Sequence, residues 1–175
     1  MSNGEPTTVR LIAAIDRQRG LANDRGIPWQ GQIPGDAAYF REQTASGLVL
    51  MGFRTYQEFD RPLHGNTNFV LARLGSEPLR PGFSAVIDLD QFIAERIGET
   101  VWVIGGGAIY AQTMPIADEL FVTQLDQDFD CTKFFPEFKG QFLLASSSES
   151  RSEGAISYRF EVWRRQHEPL AGEAA

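Results

Sequence analysis

Two stretches of this chain share one design, and that design limits the fold more than any other feature of the sequence. "VWVIGGGAIY" (101–110) runs a β-branched stretch into three glycines and then into a helix-like segment. "VLMGFRTY" (49–56) repeats the order with a single glycine, Gly52. A buried strand that turns through glycine straight into a helix is the repeating unit of sheets whose strands run parallel. It also leaves free backbone N–H groups at a positive helix end, where glycine allows close approach.

The rest of the chain fits around these two units. "VRLIAAI" (9–15), "LVLM" (48–51), "TNFVLA" (67–72), "SAVI" (84–87) and "TVWVI" (100–104) read as strands, the central ones buried on both faces. Helical segments interleave: "GDAAYFREQTA" at a Pro34–Gly35–Asp36 start signal, "FRTYQEF" after Gly52, "DLDQFIAERI" opening on Asp88 or Asp90, and "GAIYAQTM" after the glycines. Three further strands follow, "DELFVTQLD" (118–126), "GQFLLAS" (140–146) and the alternating "AISYRFEVW" (155–163). The expected architecture is one α/β domain over 8–166. Its centre is a mixed, mostly parallel eight-stranded sheet, flanked by about four helices, with 1–7 and 167–175 as frayed ends.

Composition narrows the function. A chain of 175 residues with 42% hydrophobic and 22% charged residues is an ordinary soluble domain, and no apolar run reaches the ~18–20 residues of a membrane span. The first ten residues lack the pattern of a secretory leader, and a single cysteine, Cys131, forms no internal disulfide. A cytoplasmic location is expected. Two histidines and one cysteine, far apart, give no metal-ligand spacing. A net charge of −7 argues against nucleic acid as partner. A monomer acting on a small molecule is the expectation.

Three features carry chemistry. First, Gly105, Gly106 and Gly107 are either a phosphate cradle or a tight strand–helix turn. The dinucleotide fingerprint is not met, because Tyr110 stands where its third glycine belongs. Gly52, with Arg54 and Thr55 in the following turn, forms a second cradle of the same kind. In a parallel sheet both lie at the strands' C-terminal edge, where ligands bind. Arg54 and Arg73 can hold a further phosphate, or can be solvated surface charges. Second, Asp36, Phe40 and Thr44 share one helix face, placing a carboxylate in a partly apolar cleft, although Asp36 also suits a first-turn dipole partner. Third, Asp16 to Gly35 is a long segment with four glycines, two prolines and an exposed-looking Trp29. Its apolar centre, "IPWQGQIPGD", favours a lid over disorder.

Together these residues resemble the dihydrofolate reductase family over nearly the whole chain. "LIAAI", "GLANDRGIPW", "D..YFR..T", "VLMGFRTY", "RPL.GNTNFVL", "VWVIGGGAIY", "ADELFVTQLD", "FFPEF" and "SYRFEVW" occur in the family's order. The resemblance implies hydride transfer from NADPH to C6 of dihydrofolate, with a proton arriving at N5. It makes Asp36 the acid of the pterin pocket, acting through water because it is too far from N5 for direct transfer. Trp29 ends the mobile loop over the nicotinamide, and Thr123 completes the acid's network. Ile12, Ala14, Phe40, Phe59, Leu63 and Ile104 match walls of the substrate pocket. Ala13, Ala14, Leu21 and Ile104 match contacts to the nicotinamide end of the cofactor. Gly52, Arg54, Thr55, Arg73, Gly106, Gly107, Ala108, Ile109 and Tyr110 match the rest of the cofactor site.

The match has departures. The family places an arginine three residues after the leucine of "RPL", facing the folate glutamate's α-carboxylate, whereas this chain has Asn66. An asparagine cannot form a charged bidentate pair. Arg41 and Arg61 match positions near that tail. Ala37 replaces a bulkier residue after the acid, the stretch from Trp29 to Asp36 is about two residues longer than in many bacterial relatives, and Ala22 and Phe53 are unusual. The alternatives are a reductase of another dihydropterin, such as dihydromethanopterin, and a catalytically idle nucleotide-binding module. A pyrimidine reductase of the same fold is opposed by Asp36 and the tryptophan loop.

Overall fold

In the computed structural model, residues 4–167 are described. The elements in chain order are β1 (Thr8–Ile15), β2 (Gly20–Ala22), α1 (Pro34–Gln43), β3 (Leu48–Gly52), α2 (Phe53–Glu58), β4 (Thr67–Leu71) and β5 (Phe83–Val86). There follow α3 (Leu89–Ala94), β6 (Thr100–Gly105), α4 (Gly107–Thr113) with a 3-10 turn at Met114–Ile116, β7 (Glu119–Leu125), β8 (Lys133–Phe134), β9 (Phe142–Ser147), β10 (Arg151–Glu153) and β11 (Ile156–Arg165). All eight strands and four helices read from the sequence are present. Three short polar or mixed strands, β2, β8 and β10, were not legible there.

The main sheet runs β10–β11–β7–β1–β6–β3–β4–β5. From β7 to β5 every neighbour is parallel, and β11 joins β7 antiparallel. The far flank of β11 is shared end to end: β10 pairs with its start (Ile156–Tyr158) and β9 with its later half (Glu161–Arg165). Nine strands therefore fill eight positions across the sheet, as expected. β2 and β8 form a separate two-stranded ribbon.

The central strands are hydrophobic on both sides because helices cover both faces. Val49, Leu50 and Met51 are fully buried, as are Val101 and Val103. On one face Phe92 of α3 and Ile109 and Tyr110 of α4 pack with Leu11, Leu50 and Val103. On the other, Tyr56 of α2 packs with Ile12, Val49 and Trp102, and Tyr39 and Phe40 of α1 lie against the same cluster. The helix α1 buries none of its residues completely. Tyr39 and Phe40 therefore stay half-exposed where α1 crosses the sheet.

The expected frayed ends fall mainly on residues 1–3 and 168–175, which lie outside the described residues. Next to them the Glu5 carbonyl accepts from Gly98 N at 2.8 Å, and Thr7 Oγ1 donates to the Ile93 carbonyl at 2.6 Å.

Candidate active site

Parallel pairing of β3 with β6 brings the two glycine turns side by side. A Cβ on Gly52 would stand 3.6 Å from both Gly105 O and Gly106 N, and 3.8 Å from Ile109 Cβ. A Cβ on Gly106 would meet Thr55 Oγ1 at 3.4 Å. The three glycines of the run differ in what they require. Gly105 sits at φ +125°, a conformation that side chains rarely adopt, and faces the Tyr110 ring. Gly106 has an extended backbone and opens the first turn of α4 with no side chain capping it. Gly107 lies near Leu21 and the Phe134 carbonyl, at ordinary contact distances. Only the first glycine is demanded by local backbone geometry; the other two leave space. Ala108 is exposed at the helix start, and Arg54, Arg61, Arg73 and Arg41 are all exposed. Among the described residues, no acidic side chain pairs with any of these four arginines.

The second group of residues lies over β1 and β7. Asp36 stands in the first turn of α1 and is not its cap: its Oδ1 accepts from Thr123 Oγ1 at 2.6 Å. Thr123 is buried on β7, opposite Ala14 of β1. Burial raises the Asp36 carboxyl above its ordinary value; the Thr123 hydroxyl pulls it back, and the charge of Glu153 raises it further. Ile12 forms one wall with the half-buried Phe40, Phe59, Leu63 and Ile104. On the other face of the sheet, Ala13 and Leu21 pack near Ile109 and Tyr110. The Tyr110 hydroxyl donates to the Ile12 carbonyl at 2.6 Å, so one side chain of α4 fixes the backbone between the two groups.

Trp29 departs from the sequence expectation of exposure. It is 4% exposed, packed with Ile33, Leu125, Ile156 and Tyr158, and edge-on to Phe129 at 5.0 Å. Residues far along the chain bury it, so its polar neighbours Gln30 and Gly31 mislead. The long segment is also tied at its base. Asp16 accepts from Gln18 N, Gly20 N and Phe129 N, and Thr132 N donates to the Ala22 carbonyl. Between these anchors and Trp29, residues 24–27 are exposed.

Comparison with known proteins decides the lineage. The dihydrofolate reductase family model matches residues 8–165. This chain belongs to the dihydrofolate reductase family. It is 29% identical to a dihydrofolate reductase of Bacillus subtilis (94% of this chain, 98% of the relative). It is 32% identical to dihydrofolate reductase type A13 of Escherichia coli (94% and 99%). A solved structure of dihydrofolate reductase from Enterococcus faecalis, complexed with NADP(H) and RAB-propyl, shares the fold. Its TM-score is 0.80 at 20% identity, covering 91% of this chain and 97% of that one.

Against the dihydrofolate reductase pattern, Asn66 is the main departure. Its Nδ2 donates to the Thr44 carbonyl at 2.6 Å and the Gly47 carbonyl at 3.1 Å. Both amide hydrogens are thereby engaged on backbone just beyond α1. Sequence reading also gave no role to Glu153. Its carboxylate accepts from Gly35 N at 3.1 Å and from the Tyr158 hydroxyl at 2.8 Å. Only the Pro34–Gly35–Asp36 helix start hinted at a special position there.

Proposed function

We propose that this chain reduces 7,8-dihydrofolate to 5,6,7,8-tetrahydrofolate with NADPH, by hydride transfer to C6 and protonation of N5. The observation that carries the reading is Asp36: a carboxyl with a raised pKa, held by Thr123, in a chain of the dihydrofolate reductase family.

The residues present fit the cofactor. A methyl group at Gly52 or Gly106 would project into the space between the two turns, and the backbone N–H groups at both helix starts suit phosphate. Thr55, Arg54 and Arg73 add donors at the same edge, the arginines without acidic partners. Arginine forks match a phosphate monoester, which favours NADPH over NADH. Ala13, Ala14, Leu21 and Ile104 would line the nicotinamide end, and Ala108, Ile109 and Tyr110 support the phosphate turn. When bound, NADPH supplies the hydride.

The chain's own residues do the rest. Asp36 binds the pterin's 2-amino group and N3 as a bidentate acceptor, and its hold on a proton supports protonation at N5 through water. Thr123 fixes the carboxylate's orientation. Ile12, Phe40, Phe59, Leu63 and Ile104 hold the flat rings and exclude water, so that the two reacting rings meet in contact. Trp29, anchored at the end of the 24–27 segment, positions that segment as a lid. Among the described residues no helix is long and apolar enough to cross a membrane.

A second reading, reduction of a dihydropterin with a different tail, is favoured by one observation. Asn66 is committed to backbone carbonyls and has no N–H left for a carboxylate. Arg41 and Arg61, both exposed, would hold a glutamate tail instead. NADPH oxidation by the purified protein, with dihydrofolate against a dihydropterin lacking the glutamate, separates the two. Preference for dihydrofolate supports the first reading. Equal or better use of the tail-less compound moves the substrate to another pterin.

A further inference from the structure

The helix that carries Asp36 begins without a cap of its own. Ile33 occupies the cap position and has no side-chain acceptor, Pro34 follows, and Asp36 is turned toward Thr123. Helix starts leave N–H groups unpaired, and a buried or half-buried one needs an acceptor. Here that acceptor arrives from a remote part of the chain. Both carboxylate oxygens of Glu153, on β10, lie 3.1 Å from Gly35 N. The Tyr158 hydroxyl on β11 donates to Oε2 at 2.8 Å and fixes the carboxylate's orientation. The contact is so close that a Cβ at Gly35 would overlap the Tyr158 hydroxyl and stand 3.2 Å from Glu153 Oε2. Glycine is required at 35 because this pair packs on its backbone.

We propose that Glu153 is a positioning residue for Asp36: from the β10–β11 hairpin it caps the first turn of α1 and sets a second negative charge beside the acid. Two carboxylates so placed disfavour double ionisation, and the acid retains a proton to higher pH. The groups around them do not all act in that direction, since the Arg151 cation lowers the neighbouring Tyr158. Tyr39 and Glu42 stand on α1, Tyr110 on α4, Arg151 on β10 and Tyr158 on β11, with Thr123 of β7 the neutral donor. Of these, Glu153 raises the Asp36 carboxyl, while Thr123 lowers it. The role rests on the reading of Asp36 as the acid of a dihydropterin reductase.

The test compares wild type with Glu153→Gln, which keeps an acceptor oxygen and removes the charge. The Asp36 carboxyl is titrated by 13C NMR in the ligand-free protein, and single-turnover NADPH oxidation with dihydrofolate is followed against pH. The expected result is an Asp36 midpoint at lower pH, and a rate about threefold lower than wild type when measured above the wild-type midpoint. An unchanged Asp36 midpoint overturns the proposal, even if the variant is less stable, because capping alone would not move it. The NMR titration needs no turnover. If wild type failed to reduce dihydrofolate while the midpoint still followed residue 153, the functional reading would fall and the coupling would stand.

Discussion

Thr123 Oγ1 donates a 2.6 Å hydrogen bond to Asp36 Oδ1 across 87 positions of sequence, joining the last parallel strand to the first helix. The bond stabilises the ionised carboxylate, against burial and the Glu153 charge, which oppose ionisation. Thr123→Val removes the donor and keeps the shape, so the Asp36 carboxyl should titrate at higher pH. The decline of hydride transfer with rising pH then shifts upward, opposite in sign to Glu153→Gln. A rate–pH curve measured by single turnover checks this, and a downward shift would exclude the hydrogen bond as a control on Asp36.

Asp36→Asn separates activity from stability. The variant still offers Thr123 an acceptor oxygen but holds no exchangeable carboxyl proton. Hydride transfer at neutral pH should fall by about 10²–10⁴, the usual scale for a lost acid–base group. NADPH affinity should stay close to wild type, since Asp36 is bonded to Thr123 of β7 and not to either glycine turn.

The same substitution has a thermodynamic sign. Asp36 has a folded pKa above its ordinary value of 3.8, so between those two values the folded state binds more protons than the unfolded state. Stability therefore falls as pH rises from 3.8 through the folded pKa. At neutral pH the ionised Asp36 is a liability, and Asp36→Asn should raise Tm there. The gain should shrink as pH drops toward 3.8. A set of melting curves from pH 4 to pH 7 measures it, and an equal or lower Tm for the variant at pH 7 would contradict the burial argument.

Much of this was legible in the sequence, for a physical reason. The parallel strands announce themselves because burial on both faces demands unbroken apolar runs such as "LVLM" and "TVWVI". Asp36 and Thr123 were legible through the motifs that carry them. Glu153 was not: "RSE" is too short and polar to read as a strand, and its partner Gly35 lies 118 positions away. Trp29 misled for a related reason, since Leu125, Ile156 and Tyr158 bury it and nothing near it in sequence shows this. Asn66 stood out as a departure by residue type, but its engagement with Thr44 and Gly47 depends on where α1 ends in space.

The glycine run makes a contrast between neighbours. Gly105→Ala forces a side chain onto φ +125° and toward the Tyr110 hydroxyl, 3.3 Å from the new Cβ. It should cost about 2 kcal/mol or more of folding stability. Gly106→Ala meets no backbone and only Thr55 Oγ1 at 3.4 Å, so the protein should fold near normally. Its methyl group intrudes on the cradle and should weaken NADPH binding about tenfold. Denaturant unfolding and cofactor titration of the two variants together decide whether Gly106 is kept for the fold or for the ligand.

Asn66 offers a substrate test that its own hydrogen bonds make interpretable. Asn66→Ala removes one of two donors from each of the Thr44 and Gly47 carbonyls, which keep Gly47 N and Thr67 N, and should lower stability by about 1 kcal/mol. It should not change the ratio of KM for dihydrofolate to KM for a tail-less dihydropterin, because an amide with both hydrogens engaged makes no contact with a carboxylate. Asn66→Arg differs. A guanidinium carries five N–H donors, enough to serve the two carbonyls and still present a charged pair outward. Such a pair contributes about 1.5–3 kcal/mol, so the KM for dihydrofolate should fall about tenfold or more while that for the tail-less compound holds. Equal effects on both substrates would mean that position 66 does not face the glutamate, leaving Arg41 and Arg61 to hold it. A selective gain would mean that the wild-type chain works without the clamp its relatives' motif provides, because Asn66 is spent on closing the end of α1.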